Sequence, residues 1–118
     1  VIQRLILIIV LAAGPALAER AHGKRWWVAS VAALVATNLL DAHSSWGRQE
    51  ANPMLRSGDG RFGGRAVGLK AGVTAGMVLT ELLAIRARPR VASRCAMVNF
   101  TAAGLLGAAA GHNYRLGR

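Results

Sequence analysis

The chain has 118 residues, of which 53% are hydrophobic and 17% are charged, and its mean hydropathy is +0.35. Ordinary soluble domains carry about 25% charged residues and disordered chains lack this aliphatic content, so the composition argues against both classes. The length suits one domain, and a single cysteine, Cys95, excludes an internal disulfide. We therefore expect an all-α membrane protein, a small transmembrane helical bundle.

The chain is strongly basic, with 15 Lys and Arg against 5 Asp and Glu, a net charge of +10 and a pI near 11.8. Such a charge is also typical of nucleic-acid-binding proteins. However, the basic residues lie mostly between apolar stretches, and aromatic residues make up only 5%. Because neither a basic helical face nor a stacking platform is evident, we expect a lipid bilayer as partner and no nucleic acid.

Residues 1–18 have the pattern of a secretory signal peptide. Arg4 precedes an apolar run from Leu5, and Pro15 breaks that run before an Ala-Leu-Ala ending. The run is shorter than the roughly 20 residues of a membrane span. The alternative is an uncleaved first transmembrane helix kinked at the proline.

Residues 19–118 are predicted to form one helical membrane domain with three spans, at about 26–46, 66–85 and 95–111. Trp26 and Trp46 bound the first of these spans, about 30 Å apart along a helix, which matches the hydrocarbon thickness. Tryptophan at both ends is typical of interfacial anchoring. The basic residues divide almost evenly between the two sides, so the positive-inside rule favours neither orientation.

Glycines recur every fourth residue in the last two spans, at Gly68, Gly72 and Gly76 and at Gly107 and Gly111. Such spacing puts small residues on one helical face, where backbones approach closely in lipid. We expect these faces to pack helices, either within the chain, in a homo-oligomer or against a second membrane protein.

Ionisable residues at membrane depth are costly and need partners. Asp41 lies five residues before Trp46, and Lys70 lies four residues after Ala66, where the next span starts from the same side. The sequence therefore predicts an Asp41–Lys70 ion pair. The polar residues expected around it at that membrane face are Asn38, Ser45, Glu50, Asn52, His112 and Asn113.

The same comparison of depths predicts a second polar pair at the opposite side of the membrane. Glu81 lies four residues before Ile85, and Asn99 lies four residues after Cys95. A hydrogen bond between Glu81 and Asn99 is expected.

Two interpretations of the first cluster stay open. The ion pair fixes the register of two helices, or Asp41, Glu50, Lys70 and His112 line a site for protons, ions or a ligand in a small transporter or channel subunit. The usual nucleophile, metalloprotease, phosphate-loop and redox motifs are absent. We therefore expect no catalytic residue, no metal and no cofactor, and an intramembrane enzyme ranks third.

One sequence pattern resembles a known family. Asp41-Ala42-His43-Ser44, then Glu50-Ala51-Asn52-Pro53, then Lys70 look like the D-x-x-[ST], E-x-N-P and lysine signature of small prokaryotic integral membrane proteins, a domain of unknown function. The resemblance covers residues 34–85. It implies a three- or four-helix membrane protein and supplies no activity. The resemblance also favours its signature positions as candidate site residues, namely Asp41, Ser44, Glu50, Asn52, Pro53 and Lys70. We expect the protein to lie in the bacterial inner membrane.

Overall fold

The computed structural model describes the backbone of residues 2–117 and the side chains of residues 21–117. Three α-helices account for most of this part: α1 spans Ile2–Ser45, α2 spans Gly64–Ala87 and α3 spans Ala92–Leu116. A 3₁₀ turn, Pro89–Val91, joins the last two helices. The expected all-helical fold is therefore observed. The predicted signal segment, residues 1–18, lies outside the residues with described side chains.

By length and composition, two helical segments within the described residues are able to cross a membrane, Gly64–Ala87 and Pro89–Leu116. These contain the second and third of the predicted spans. The described part of α1, which contains the first, does not reach the same apolar character because Asn38, Asp41 and His43 interrupt its last turns.

Helices α1 and α3 pack side by side through two rows of mostly small or polar residues. Both rows advance by alternating steps of four and three residues, which keeps each row on one side of its helix. The α1 row consists of Gly23, Trp27, Ser30, Leu34, Thr37, Asp41 and Ser44. The α3 row consists of Ala92, Ala96, Asn99, Ala103, Leu106 and Ala110.

The small side chains of these rows let the two helices approach closely. A Cβ placed on Gly107 would lie 3.6 Å from Thr37 Cγ2, and one placed on Gly23 would lie 2.9 Å from Ser93 Oγ. In membrane helices, such close approach replaces the hydrophobic driving force that water supplies to soluble bundles.

Helix α2 is attached to this pair mainly near its ends. Its buried residues are Ala66 at one end and Glu81 and Ile85 at the other, and none of residues 67–80 is buried. Ile85 joins Trp27, Ala92 and Ala96 in a small apolar core. The polar contacts described below lie at the same two levels.

The expected packing of the glycine faces is only partly observed within the chain. Gly107 lies against α1, whereas an added Cβ would meet no atom of the described residues within 4 Å at Gly68, Gly72, Gly76 and Gly111. A spacing of four residues puts glycines on one face but does not determine which face of a helix meets its neighbours. In α2 that face is on the outside.

Residues 46–63 form a compact loop over the ends of α1 and α3. Gly47 N–H donates to the Phe62 carbonyl, and Phe62 N–H donates to the Arg48 carbonyl, both at 2.9 Å. Gly47 and Gly60 have φ values of 74° and 77°, a left-handed conformation that favours glycine. The loop thereby brings Phe62, which is buried, onto the helix ends.

Candidate functional site

Asp41 and Lys70 are in contact, and they join α1 to α2. Lys70 Nζ donates to Asp41 Oδ2 in an ion pair, in which the Asp41 side chain is 6% exposed and the Lys70 side chain 25% exposed. The Phe62 ring lies 5.4 Å from Lys70 Nζ, a cation–π distance. The pair is therefore covered on one side by the loop and still reached by solvent at the lysine.

Ser44 lies one turn beyond Asp41 and joins α1 to α3. Its hydroxyl donates to the Asp41 carbonyl at 3.0 Å. Asn113 Nδ2 donates to Ser44 Oγ at 3.4 Å and to Ser45 Oγ at 3.0 Å. The polar face of α1 thus meets α2 through Asp41 and α3 through Ser44.

His112 does not join this cluster. It is exposed, and the following residues make the contacts instead: Asn113 bonds the two serines, and Tyr114 Oη lies 2.6 Å from His43 Nδ1. Successive helical residues differ by about 100° in direction. The predicted depth is thus occupied, but by the neighbouring side chains.

Glu50, Asn52 and Pro53 form a turn of the loop and do not contact the ion pair. Glu50 Oε1 accepts from Asn52 N–H at 2.8 Å, and Asn52 Oδ1 accepts from Met54 N–H at 3.0 Å. The Asn52 carbonyl accepts from Leu55 N–H at 3.1 Å, which places Pro53 at the second position of a β-turn, where its fixed φ is favoured. The E-x-N-P motif therefore shapes the loop here.

The second polar pair is also in contact and is larger than expected. Glu81 Oε2 accepts from Asn99 Nδ2 at 2.9 Å and from Trp27 Nε1 at 2.8 Å. Asn99 Nδ2 also donates to Ser30 Oγ at 3.2 Å. We call these four residues, Trp27, Ser30, Glu81 and Asn99, the Glu81 cluster.

The Glu81 cluster joins all three helices at one buried point. Glu81 is 8% exposed and Asn99 is fully buried. Within residues 21–117, Glu81 has no cation in salt-bridge range and Asn99 Oδ1 has no hydrogen-bond donor. Comparing the positions of polar residues within the predicted spans pairs Glu81 with Asn99. That comparison gives no indication that Trp27 and Ser30 join them.

Two apolar grooves flank α2 where it stands apart from α1 and α3. The groove between α1 and α2 has a volume of about 330 Å³, and its polar lining residues are Asn38, Lys70 and Thr74. The other groove, of about 350 Å³, extends to Leu106 of α3, and its polar lining residues are the same three together with Asn52 of the loop. Neither groove contains Glu50 or His112, so neither brings together the four ionisable residues of the transport interpretation.

Within the described residues, no group of three or more His, Cys, Asp and Glu side chains is arranged to hold a metal ion. Cys95 is a free thiol at the start of α3, partly buried beside the apolar core. No family model, no curated protein and no solved structure matches the chain. The family resemblance of the D-x-x-S, E-x-N-P and lysine pattern therefore stays a prediction.

Proposed function

We propose that this chain is a small integral protein of the bacterial inner membrane with a structural or interaction role. Large apolar side chains on the outer faces of the helices support this proposal. Val73 is 72% exposed and Leu105 is 69% exposed, and many other leucines and valines share this orientation. Such surfaces are unfavourable in water and suit contact with acyl chains. The three spans at 26–46, 66–85 and 95–111 belong to this proposal, as does membership in the family that the signature resembles.

The observation that carries the proposed role is the ion pair between α1 and α2. Both charges lie one to two turns inside their helices, where a lone charge would be costly. A paired charge at that depth is retained only if both partners stay in register. The Asp41–Lys70 contact therefore fixes how far α2 slides along α1.

The transport alternative has less support. It needs Asp41, Glu50, Lys70 and His112 around one water-accessible path, whereas Glu50 caps its own turn and His112 is exposed elsewhere. An intramembrane enzyme has still less support, since no serine, threonine or cysteine side chain is hydrogen-bonded to a histidine in the described residues.

A double-mutant cycle tests the register role. Asp41→Asn and Lys70→Met should each lower the free energy of unfolding by about 1–3 kcal/mol, below the range of a fully buried pair because the lysine is partly exposed. The double variant should lose clearly less than the sum, since it leaves no unpaired charge. Thermal unfolding in detergent micelles, followed by circular dichroism, measures all three.

Glu50→Gln is the matched control, because it removes a charge of the same signature and keeps the oxygen that caps Asn52. Its stability should equal that of the wild type. Additive losses in the double variant would exclude the register role. A double variant that keeps its fold and loses proton flux in liposomes would instead support the transporter.

A further inference from the structure

A polar cavity lies at the loop end of α1 and α3, beside the ion pair. Its volume is about 400 Å³. The cavity is lined by His43, Ser44, Trp46, Gly47, Arg48, Tyr114 and Gly117. Of the residues treated so far as candidate site residues, only Ser44 contributes to it.

Among the residues with described side chains, Arg48 is the only Lys or Arg that lines the cavity, and no carboxylate lines it. Its Nη2 donates to the Asn113 carbonyl at 2.6 Å, which holds the guanidinium in place and leaves its other N–H groups without an acceptor among residues 21–117. A Cβ at Gly117 would overlap the guanidinium, so the chain passes directly against it. Arg48 is therefore a fixed positive charge at a cavity wall, with no carboxylate partner among residues 21–117.

His43 and Tyr114 form a second polar group on this wall, with 2.6 Å between Nδ1 and Oη. When the tyrosine hydroxyl donates to Nδ1, the imidazole carries its hydrogen on Nε2 and offers it as a donor. The Trp46 indole N–H also has no acceptor within the described residues, and Trp46 is 61% exposed. The free polar groups of the cavity are thus mainly donors, which suits an oxyanion.

We propose that this cavity binds a phosphate group through Arg48, with His43 as a second donor. Guanidinium groups bind phosphate through parallel N–H···O bonds, and a fixed guanidinium loses less conformational freedom when it does so. The cavity is larger than phosphate alone and leaves room for an esterified glycerol. Its place at the helix ends is level with phospholipid headgroups if the helices cross the bilayer as proposed above.

Two probes distinguish the source of the phosphate. Inorganic phosphate is titrated by calorimetry into the full chain in maltoside micelles, which contain no phosphate. Phosphatidylglycerol is added to the same micelles, and native mass spectrometry counts the bound molecules. Binding of the lipid alone indicates a headgroup site, and binding of both indicates a general phosphate site; either result supports the proposal. The titration with inorganic phosphate does not depend on membrane insertion. Its result therefore tests the phosphate site separately from the proposal that the helices cross a membrane.

Arg48→Gln should weaken binding about tenfold or more, because it removes a charged donor. Arg86→Gln, an exposed arginine at the opposite end of α2, is the matched control and should bind as the wild type does. Because Arg48 also holds the Asn113 carbonyl, His43→Gln, on an exposed residue, serves as a second variant and should weaken binding severalfold. The proposal is overturned if neither probe binds, if Arg48→Gln and Arg86→Gln have equal effects, or if Arg48→Gln fails to fold and His43→Gln binds normally.

Discussion

Asn99 is the side chain on which the meeting of the three helices depends. Its amide nitrogen donates to the Glu81 carboxylate of α2 and to the Ser30 hydroxyl of α1. Replacing it with alanine removes both bonds: Ser30 Oγ loses its donor, and the buried Glu81 carboxylate keeps only the bond from Trp27 Nε1. Each such group costs about 1–3 kcal/mol when its partner is lost.

Asn99→Ala is therefore expected to lower the free energy of unfolding by about 2 kcal/mol or more. Thr101→Ala, on the exposed side of the same helix, should change it by less than about 0.5 kcal/mol, since its hydroxyl bonds only the Met97 carbonyl. Chemical or thermal unfolding in micelles compares the two variants. Equal stabilities would mean that the Glu81 cluster does not hold the helices together.

The position of a polar residue along its helix could be predicted from the sequence, whereas the direction of its side chain around the helix axis could not. Counting from the span ends places Asp41 level with Lys70 and Glu81 level with Asn99, and both pairs are in contact. Depth carries no information on rotation about a helix axis. For this reason the prediction included both His112 and Asn113, of which Asn113 makes the contact and His112 is exposed.

At the scale of the elements, the close pair is α1 with α3, and the signal for it is present in the sequence. Buried positions on both helices alternate in steps of four and three residues, with alanine, serine and glycine frequent among them. The glycine repeat of α2 is more regular, but it lies on a helical face outside this contact. An added Cβ on that face meets no atom of the described residues within 4 Å, and we propose that the face packs in a homo-oligomer.

Leucine substitutions distinguish the glycine that packs helices within the chain from the glycines proposed to pack helices between chains. Gly107→Leu should destabilise the fold by about 1–3 kcal/mol, because its side chain would be forced against Thr37. Gly72→Leu should leave the fold as stable or up to about 1 kcal/mol more stable, as leucine favours helix over glycine, and should weaken self-association. Unfolding measurements and light scattering in micelles report the two properties.

The self-association proposal is contradicted if the wild type is monomeric in micelles and in bilayers. It is also contradicted if Gly72→Leu associates as the wild type does. Gly104→Leu is a control on α3, because an added Cβ there meets no atom within 4 Å.

At the scale of the whole molecule, the helix boundaries follow the apolar stretches closely. Spans predicted at 66–85 and 95–111 lie inside α2 and α3. The conformation of the loop and its backbone hydrogen bonds were not predictable in detail. They depend on two glycines with positive φ and on the burial of Phe62 against residues distant in sequence. The described part of α1 is less apolar, since its polar residues serve the contacts with α2 and α3.

Membrane crossing predicts that the loop and the 3₁₀ turn lie on opposite sides of the bilayer. In a Cys95→Ser background, Gly58→Cys and Arg90→Cys place exposed thiols in these two segments. A membrane-impermeant maleimide added to intact spheroplasts should label one of them, and the other only after lysis. Val73→Cys, midway along α2 and 72% exposed, should resist labelling until the membrane is dissolved. Labelling of both segments from one side would contradict the crossing.

The two points at which α2 contacts the other helices constrain the number of residues between them. Lys70 contacts α1, Glu81 contacts α1 and α3, and ten residues, 71–80, separate them, none of them buried. Adding or removing one residue in that segment would rotate one contact by about 100° relative to the other, so both could not persist. Substitutions there leave both contacts in place. Apart from Val78, which packs against the apolar core, and the glycines of the proposed homo-oligomer face, the segment is therefore free to change its amino acids but not their number. Relatives that keep both contacts should differ there by substitution alone.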